Sequence, residues 1–193
     1  MSRTAEPNYI KHDMYTDTIS KLDRAIELGF YYEAIMLEYA LIEDRLTEML
    51  DFLGIVNRKE KSLSVTAKMR KPLRTLLGLN STARIGIQNI NTKLNVLSLL
   101  ANRTEDTEEL IAYSAVYLQK KVEREKFTST LECVRKWKDD RNTYVHGLMD
   151  KVPYDLEPQL DDLVRSGKKL FRELDSYAKK LKKCDVRKKY KIQ

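Results

Sequence analysis

Residues 31–53, YYEAIMLEYALIEDRLTEMLDFL, form the most regular stretch of the chain. Apolar side chains recur there at steps of three and four residues, at Ile35, Tyr39, Ile42, Leu46, Met49 and Leu53. This period is typical of a helix that buries one face. At 100° per residue, Glu38 lies only about 60° from the centre of the apolar stripe. Because an acid inside an apolar face needs a partner, the stretch predicts a core helix with a buried acid that must be accounted for.

Helical periodicity continues on both sides of this segment. Further helices are predicted over about residues 8–28, 65–79, 80–101, 104–141 and 160–181. Asn80 or Ser81 and then Thr104 are the predicted N-caps, Pro72 is expected to start or kink its helix, and a break is expected near residues 128–130. No segment requires a strand. The sequence therefore predicts an all-α, single-domain helical bundle of about five to seven helices.

Length and composition set the outer limits of this prediction. A chain of 193 residues is long enough for one domain with a substantial core. Its 42% hydrophobic and 34% charged residues fit a helix-rich soluble protein and argue against a disordered chain. No apolar run approaches the roughly 18 residues that span a bilayer. We expect one domain over residues 1–193 with a basic tail from about residue 182, no signal peptide or membrane segment, and a cytoplasmic location.

The cysteines and histidines give no metal-binding pattern. The two cysteines, Cys133 and Cys184, fit no ligand spacing, and the chain has only two histidines. We expect two free thiols, with Cys133 buried on a helix, and neither a metal nor a cofactor.

Positive charge is concentrated at the C-terminal end of the chain. Residues 165–193 contain twelve basic and three acidic residues, whereas the rest of the chain is close to neutral. Such a segment is usually a solvated helix end, and it is equally suited to attracting phosphates. The candidate RNA contacts are Lys179, Lys180, Lys182 and Lys183.

Residues 140–147, DRNTYVHG, differ in chemistry from the helical segments around them. They contain His146, five residues after Arg141 and directly before a glycine. Arg141-Asn142, three intervening residues and His146-Gly147 resemble the Arg-x(4–6)-His signature of the HEPN superfamily, in its form with asparagine after the arginine. The bare spacing is a weak pattern in a chain with fourteen arginines, and the Arg-Asn dipeptide, which occurs once, makes it more specific.

This resemblance implies a small all-α domain and a metal-independent endoribonuclease of a toxin–antitoxin, antiviral-defence or RNA-processing system. It implies RNA as the substrate and a homodimer whose composite active site joins two Arg–His pairs. By the same resemblance Arg141 and His146 are catalytic and Asn142 supports them, while Glu38 stands for the early-helix acid that positions Arg141. An antitoxin or regulatory protein is a further implied partner. Leu148 stands where some members have a tyrosine, which argues against the subgroup whose tyrosine is modified.

The residue types of the motif suit RNA cleavage without a metal. The ribose 2′-hydroxyl must lose a proton to attack the adjacent phosphate, and the departing 5′-oxygen must gain one. An imidazole, with an ordinary pKa of about 6.5, exchanges protons near neutrality. A guanidinium donates a fork of hydrogen bonds to the negative oxygens of the phosphorane. The expected product is a 2′,3′-cyclic phosphate, with Asn142 orienting the histidine or binding phosphate, and with Tyr144 as a supporting residue.

Structural interpretations stand beside each of these roles. Arg141 is a helix-ending arginine that could pair with Asp139 or Asp140, and His146 is a histidine near the helix C-terminus, before Gly147. Glu38 could pair with Arg45 or another base, and Tyr144 suits core packing or a stacking surface. The alternative functions are a non-catalytic RNA- or protein-binding module of the same fold, and a scaffold dimer with no nucleic acid partner. A phosphatase, kinase or serine hydrolase is disfavoured, because the chain lacks a phosphate-binding glycine loop, a serine elbow and a metal cluster.

Overall fold

The protein is an all-α helical bundle. The computed structural model describes residues 8–58, 63–104, 109–146 and 157–182. Seven α-helices lie within these ranges: α1 (Asn8–Glu27), α2 (Tyr31–Phe52), α3 (Arg70–Leu76), α4 (Ile90–Asn102), α5 (Glu109–Lys121), α6 (Arg124–His146) and α7 (Glu157–Leu181). The predicted fold class is confirmed.

Helices α2 and α7 form the centre of the bundle. The two helices make the most extensive helix–helix contact, and α1, α4 and α6 pack around them. Helix α7 is strongly amphipathic because its apolar side chains recur at steps of three and four residues. Its buried residues are Leu160, Leu163, Val164, Leu170, Phe171, Leu174, Tyr177, Ala178 and Leu181. Its opposite face is exposed and rich in lysine and arginine.

One buried arginine connects three of these helices. Arg45 of α2 forms ion pairs with Asp44, with Glu48 at 2.5 Å and with Asp175 of α7 at 3.2 Å. Its guanidinium also lies 4.4 Å from the ring centroid of Tyr15 on α1, whose hydroxyl donates to Asp175 at 3.0 Å. Because buried charges are stable only when paired, this cluster fixes α1 and α7 on α2.

The segment between α2 and α3 corrects two predictions. A two-stranded antiparallel hairpin, β1 (Val56–Asn57) and β2 (Ser64–Val65), follows α2, so the expectation of no strand is wrong in this one place. The helix predicted over 65–79 is shorter than expected. It consists of a 3₁₀ turn (Ala67–Met69) that leads into α3. Pro72 lies in the first turn of α3, where its missing N–H leaves no hydrogen bond unmade.

Two helix boundaries also differ from the prediction. The helix expected to start after Asn80 or Ser81 begins only at Ile90. The long helix expected over 104–141 is interrupted at Val122 and Glu123, not near 128–130. The hydroxyls of Thr128 and Thr130 donate to main-chain carbonyls four residues earlier, at 2.9 Å each, so α6 continues through them. The predicted cap at Thr104 depends on residues 105–108, which lie outside the described ranges.

Asn89 is the N-cap of α4. Its side-chain oxygen accepts a hydrogen bond from the main-chain N–H of Asn91 at 2.8 Å. We expect Asn89→Ala to lower the free energy of unfolding by about 1 kcal/mol, and Asn89→Ser to lower it by less, because serine can accept the same bond. Urea unfolding of the three proteins measures the difference. An equal loss in the alanine and serine variants would show that the cap is not the cause.

Cys133 is a further correction, because its side chain is exposed on α6 and not buried. Cys184 lies outside the described ranges. Within those ranges no helix is both long and apolar enough to cross a membrane.

Candidate functional site

Arg141 lies one turn from the end of α6, with its guanidinium against α2. One Nη group donates to the side-chain oxygen of Asn142 at 3.0 Å, and the other contacts Met36 Sδ at 2.9 Å. The guanidinium carbon lies 4.7 Å from the ring centroid of Tyr39, a cation–π distance. The Nε atom is buried and has no hydrogen-bond partner in the described part of the chain. The arginine is therefore held in place by a ring, a thioether and an amide.

No carboxylate neutralises Arg141 within the described part of the chain. Asp139, one of the two acids considered as its partner, instead pairs with Lys138 at 2.7 Å. A guanidinium has five N–H donors, and the contacts to Asn142 and Met36 use two of them. The site thus presents a half-buried cation with donors left over, which is what binding an anionic ligand requires.

Tyr39 and Glu43, one turn apart on α2, form a polar row between Arg141 of α6 and Lys93 of α4. Burial raises the pKa of Tyr39, with the negative charge of Glu43 adding to this and Arg141 opposing it. Glu43 in turn pairs with Lys93 of α4 at 2.6 Å, and the Lys93 side chain is 2% exposed. Glu43, the carboxylate on the same side of α2 as Arg141, is therefore already neutralised by the buried Lys93.

His146 is the last residue of α6, and its side chain is exposed. Five residues along a helix correspond to a rotation of about 140° and a rise of about 7.5 Å. Arg141 and His146 of one chain consequently point in different directions from the same helix. The structure brings Arg141 together with Asn142, and it does not bring Arg141 together with His146 of the same chain.

Tyr144 packs at the edge of the core between α6 and α7. Its ring is half-buried against the hydrophobic cluster, and its hydroxyl donates to the side-chain oxygen of Gln159 at 3.2 Å. The residue connects the end of α6 to the first turn of α7, so its observed contacts are those of a packing residue.

Glu38 is fully buried, as its helical phase predicts, but it does not contact Arg141. Neither carboxyl oxygen meets a partner at hydrogen-bonding geometry among the described residues, although the main chain of Lys168 lies nearby. A Cβ atom built on Gly167 of α7 would lie 2.2 Å from Glu38 Oε2 and 2.8 Å from Trp137 Nε1. The carboxyl group is thus enclosed between α2, α6 and α7. The prediction that Glu38 contacts and positions Arg141 is therefore wrong. The alternative pairing with Arg45 is absent as well, since Arg45 binds other acids.

The lysines named as RNA contacts are only partly available. Lys179 pairs with Asp175 at 2.6 Å, and the Lys180 ammonium lies 5.4 Å from the Tyr177 ring centroid. Lys182 is exposed, and Lys183 lies outside the described ranges. A shallow depression of about 430 Å³ lies upstream on α7, and it is lined by Arg165, Lys168, Lys169, Arg172, Glu173 and Ser176.

Sequence reasoning missed Met36 and Tyr39 as neighbours of Arg141. Tyr39 was assigned only to the apolar stripe of α2, and Met36 lies outside that stripe, 51% exposed. An exposed methionine beside a stripe aromatic, three residues apart, is one signal that a helix presents a binding edge.

Comparison with other proteins adds no relationship to this geometry. The described residues contain no group of three or more histidine, cysteine, aspartate or glutamate side chains that could hold a metal ion. The chain matches no protein-family model, no curated protein and no solved structure.

Proposed function

We propose that the chain is a metal-independent endoribonuclease of the HEPN type, active as a homodimer. Arg141 binds the phosphate that is attacked, His146 transfers protons, and Asn142 holds the arginine side chain. RNA is the substrate, and the product carries a 2′,3′-cyclic phosphate.

The reaction needs only these groups, water and the RNA itself. The 2′-oxygen attacks the neighbouring phosphorus as its proton leaves to a base, and the bond from phosphorus to the 5′-oxygen breaks as that oxygen gains a proton. The imidazole of His146 can perform one of the two proton transfers, and a water molecule can perform the other. The Nη groups of Arg141 stabilise the negative oxygens of the phosphorane.

Among the residues that the structure describes, no carboxylate neutralises Arg141, and this observation carries the proposal. A purely structural helix-ending arginine would be expected to pair with Asp139 or Asp140. Asp139 pairs with Lys138 instead, and the guanidinium rests on Tyr39 with donors to spare. A cation prepared in this way binds phosphate without first breaking an ion pair.

The position of His146 favours a site built from two chains. Within one chain the two residues are separated by about 140° of helix rotation. An exposed His146 at the end of α6 can reach the Arg141 of a partner across a two-fold axis, where each chain supplies the same surface.

Cleavage of a labelled single-stranded RNA in the presence of EDTA tests the proposal. We expect the wild-type protein to produce fragments with 2′,3′-cyclic phosphate ends, and His146→Ala and Arg141→Ala to cut about 100-fold more slowly. His12→Ala, which changes the only other histidine, is the matched control and should cut at the wild-type rate. Equal cutting by all four proteins would exclude His146 and Arg141 from catalysis.

Mixing the two inactive variants tests whether the site is shared. If Arg141 of one chain acts with His146 of the other, co-expressed Arg141→Ala and His146→Ala chains recover activity, up to about a quarter of the wild-type level for random pairing in a dimer. If both residues act from one chain, the mixture stays inactive.

A non-catalytic RNA-binding module is the second candidate, and the basic depression on α7 favours it. In that case RNA is retained intact by the wild-type protein, and His146→Ala binds it equally well.

A further inference from the structure

Helix α7 has a row of basic side chains on its solvent face, upstream of the basic C-terminal tail. Five of them lie within about 100° of helix arc: Arg165, Lys169, Arg172, Lys179 and Lys180, all exposed. We call these residues the α7 basic face. It runs for about 22 Å along the helix axis, at 1.5 Å per residue.

The α7 basic face lies between α1 and α6. On one side Lys168 pairs with Asp23 of α1 at 2.7 Å, and on the other Glu173 accepts a hydrogen bond from Thr130 of α6 at 3.0 Å. These contacts hold the helix in register with its neighbours. The depression of about 430 Å³ therefore lies on a helix that packs against two others and not on a loop.

Two cations at the centre of the face are unneutralised within the described ranges. Arg165 pairs with Asp161 at 2.6 Å and Lys179 with Asp175 at 2.6 Å, whereas Lys169 and Arg172 have no such partner there. Residues 165–182 include seven basic and two acidic residues. One of those acids, Asp175, is already shared between Arg45 and Lys179.

We propose that the α7 basic face binds the phosphate backbone of a single-stranded nucleic acid, with Lys169 and Arg172 as its central contacts. A single row of cations along one helix follows one strand, and a row this long accommodates several phosphates. Binding here is electrostatic and does not depend on sequence. The proposal for the α7 basic face is independent of whether His146 and Arg141 cleave RNA.

A membrane surface is the other polyanion that such a helix could contact. Helices that lie on membranes insert exposed apolar side chains between the headgroups. The apolar face of α7 is instead buried in the core, and the exposed large hydrophobic residues of the described chain all belong to other segments. The geometry therefore favours nucleic acid.

The test measures fluorescence anisotropy of a labelled 20-nucleotide oligouridylate RNA at several salt concentrations, with EDTA and with His146→Ala as the background. Lys169→Gln combined with Arg172→Gln should weaken binding by about 10- to 30-fold near 0.1 M salt and reduce the slope of log K against log salt by about 1.4, because two phosphate contacts are lost. Circular dichroism should report the same helix content and melting for both proteins.

A charge-matched control uses two exposed lysines at the end of α5. Lys120→Gln combined with Lys121→Gln removes the same net charge from a different surface, and should leave affinity and slope nearly unchanged. Equal losses in the two double variants would overturn the proposal, since binding would then follow net charge alone. If the wild-type protein fails to cleave RNA and the α7 effect on binding is still observed, the nuclease is refuted and this surface is supported.

Two further arms address the class of partner. A duplex of matched sequence bound more tightly than the single strand, with the same dependence on Lys169 and Arg172, would overturn the single-strand assignment. Binding to phosphatidylserine vesicles that is lost in the α7 variant, without any binding of RNA, would assign the surface to a membrane.

Discussion

Gly167→Ala is expected to lower the free energy of unfolding by about 3 kcal/mol, in the upper part of the range for overpacked cores. In most helix interiors the same change adds about 1 kcal/mol of stability, because glycine is a poor helix former. Here the new methyl group would lie 2.2 Å from Glu38 Oε2 and 2.8 Å from Glu38 Cδ and Trp137 Nε1. None of these atoms moves easily, since Trp137 donates to the Leu163 carbonyl at 2.9 Å and Glu38 is fully buried.

A double-mutant cycle separates this clash from other effects. In a Glu38→Ala background the carboxyl group is gone, so adding the Gly167 methyl should fill space and cost little. We expect a favourable coupling of about 2 kcal/mol between the two changes. Gly86→Ala is the control, because the nearest atom to its Cβ is 3.9 Å away. Urea unfolding of the four proteins and the control measures each term. A neutral or stabilising Gly167→Ala would contradict the observed close approach of α7 to α2.

Helix phase made Glu38 predictable as a buried acid, but not its surroundings. The 3.6-residue period of α2 fixes which residues face inward, and Glu38 is indeed inaccessible. It does not fix which helix lies opposite. The helix opposite Glu38 is α7. Its Gly167 is a local signal of this contact, because a glycine inside an otherwise regular amphipathic helix indicates close packing.

The predicted helix boundaries were wrong where several residues were equally suited to cap a helix. Asn80, Ser81 and Asn89 are all good N-caps, and the helix begins at the third of them, where Ile87 and Ile90 are both buried. The choice depends on which apolar residues reach the core, and a local pattern does not contain that information. The break at Val122 was missed for the same reason. Val122 is buried between α5 and α6, which the sequence pattern predicted as one helix.

The candidate site likewise combines a local contact, which a motif can predict, with long-range contacts, which it cannot. The contact between Arg141 and Asn142 is between chain neighbours and follows from a dipeptide. The contacts of Arg141 with Met36 and Tyr39 join residues about a hundred positions apart, and they exist only because α6 packs beside α2. The motif was enough to predict the contact between Arg141 and Asn142, whereas the contacts of Arg141 with α2 required the fold.

The buried Glu38 also determines how stability should change with pH. Burial raises the pKa of Glu38 to about 9, and the nearby charge and main chain of Lys168 only partly offset this. An ordinary glutamate in the unfolded chain has a pKa near 4.3. Between these values the folded protein holds a proton that the unfolded chain has lost, so stability is greatest at low pH and falls as the pH rises towards 9.

Glu38→Gln should remove this dependence. We expect the wild-type protein to lose about 4 kcal/mol of stability between pH 5 and pH 8 relative to the variant, at about 1.36 kcal/mol per unit. Unfolding by urea at pH 5, 6.5 and 8 measures the difference between the two proteins, in which contributions common to both cancel. Glu33→Gln, an exposed acid on the same helix, is the control and should follow the wild-type curve.

Parallel curves for Glu38→Gln and wild type would mean that Glu38 is ionised in the fold, with the nearby charge of Lys168 offsetting the cost of its burial. A stability difference that grows with pH would instead show a neutral carboxylic acid enclosed by Gly167 and Trp137 and not in contact with Arg141.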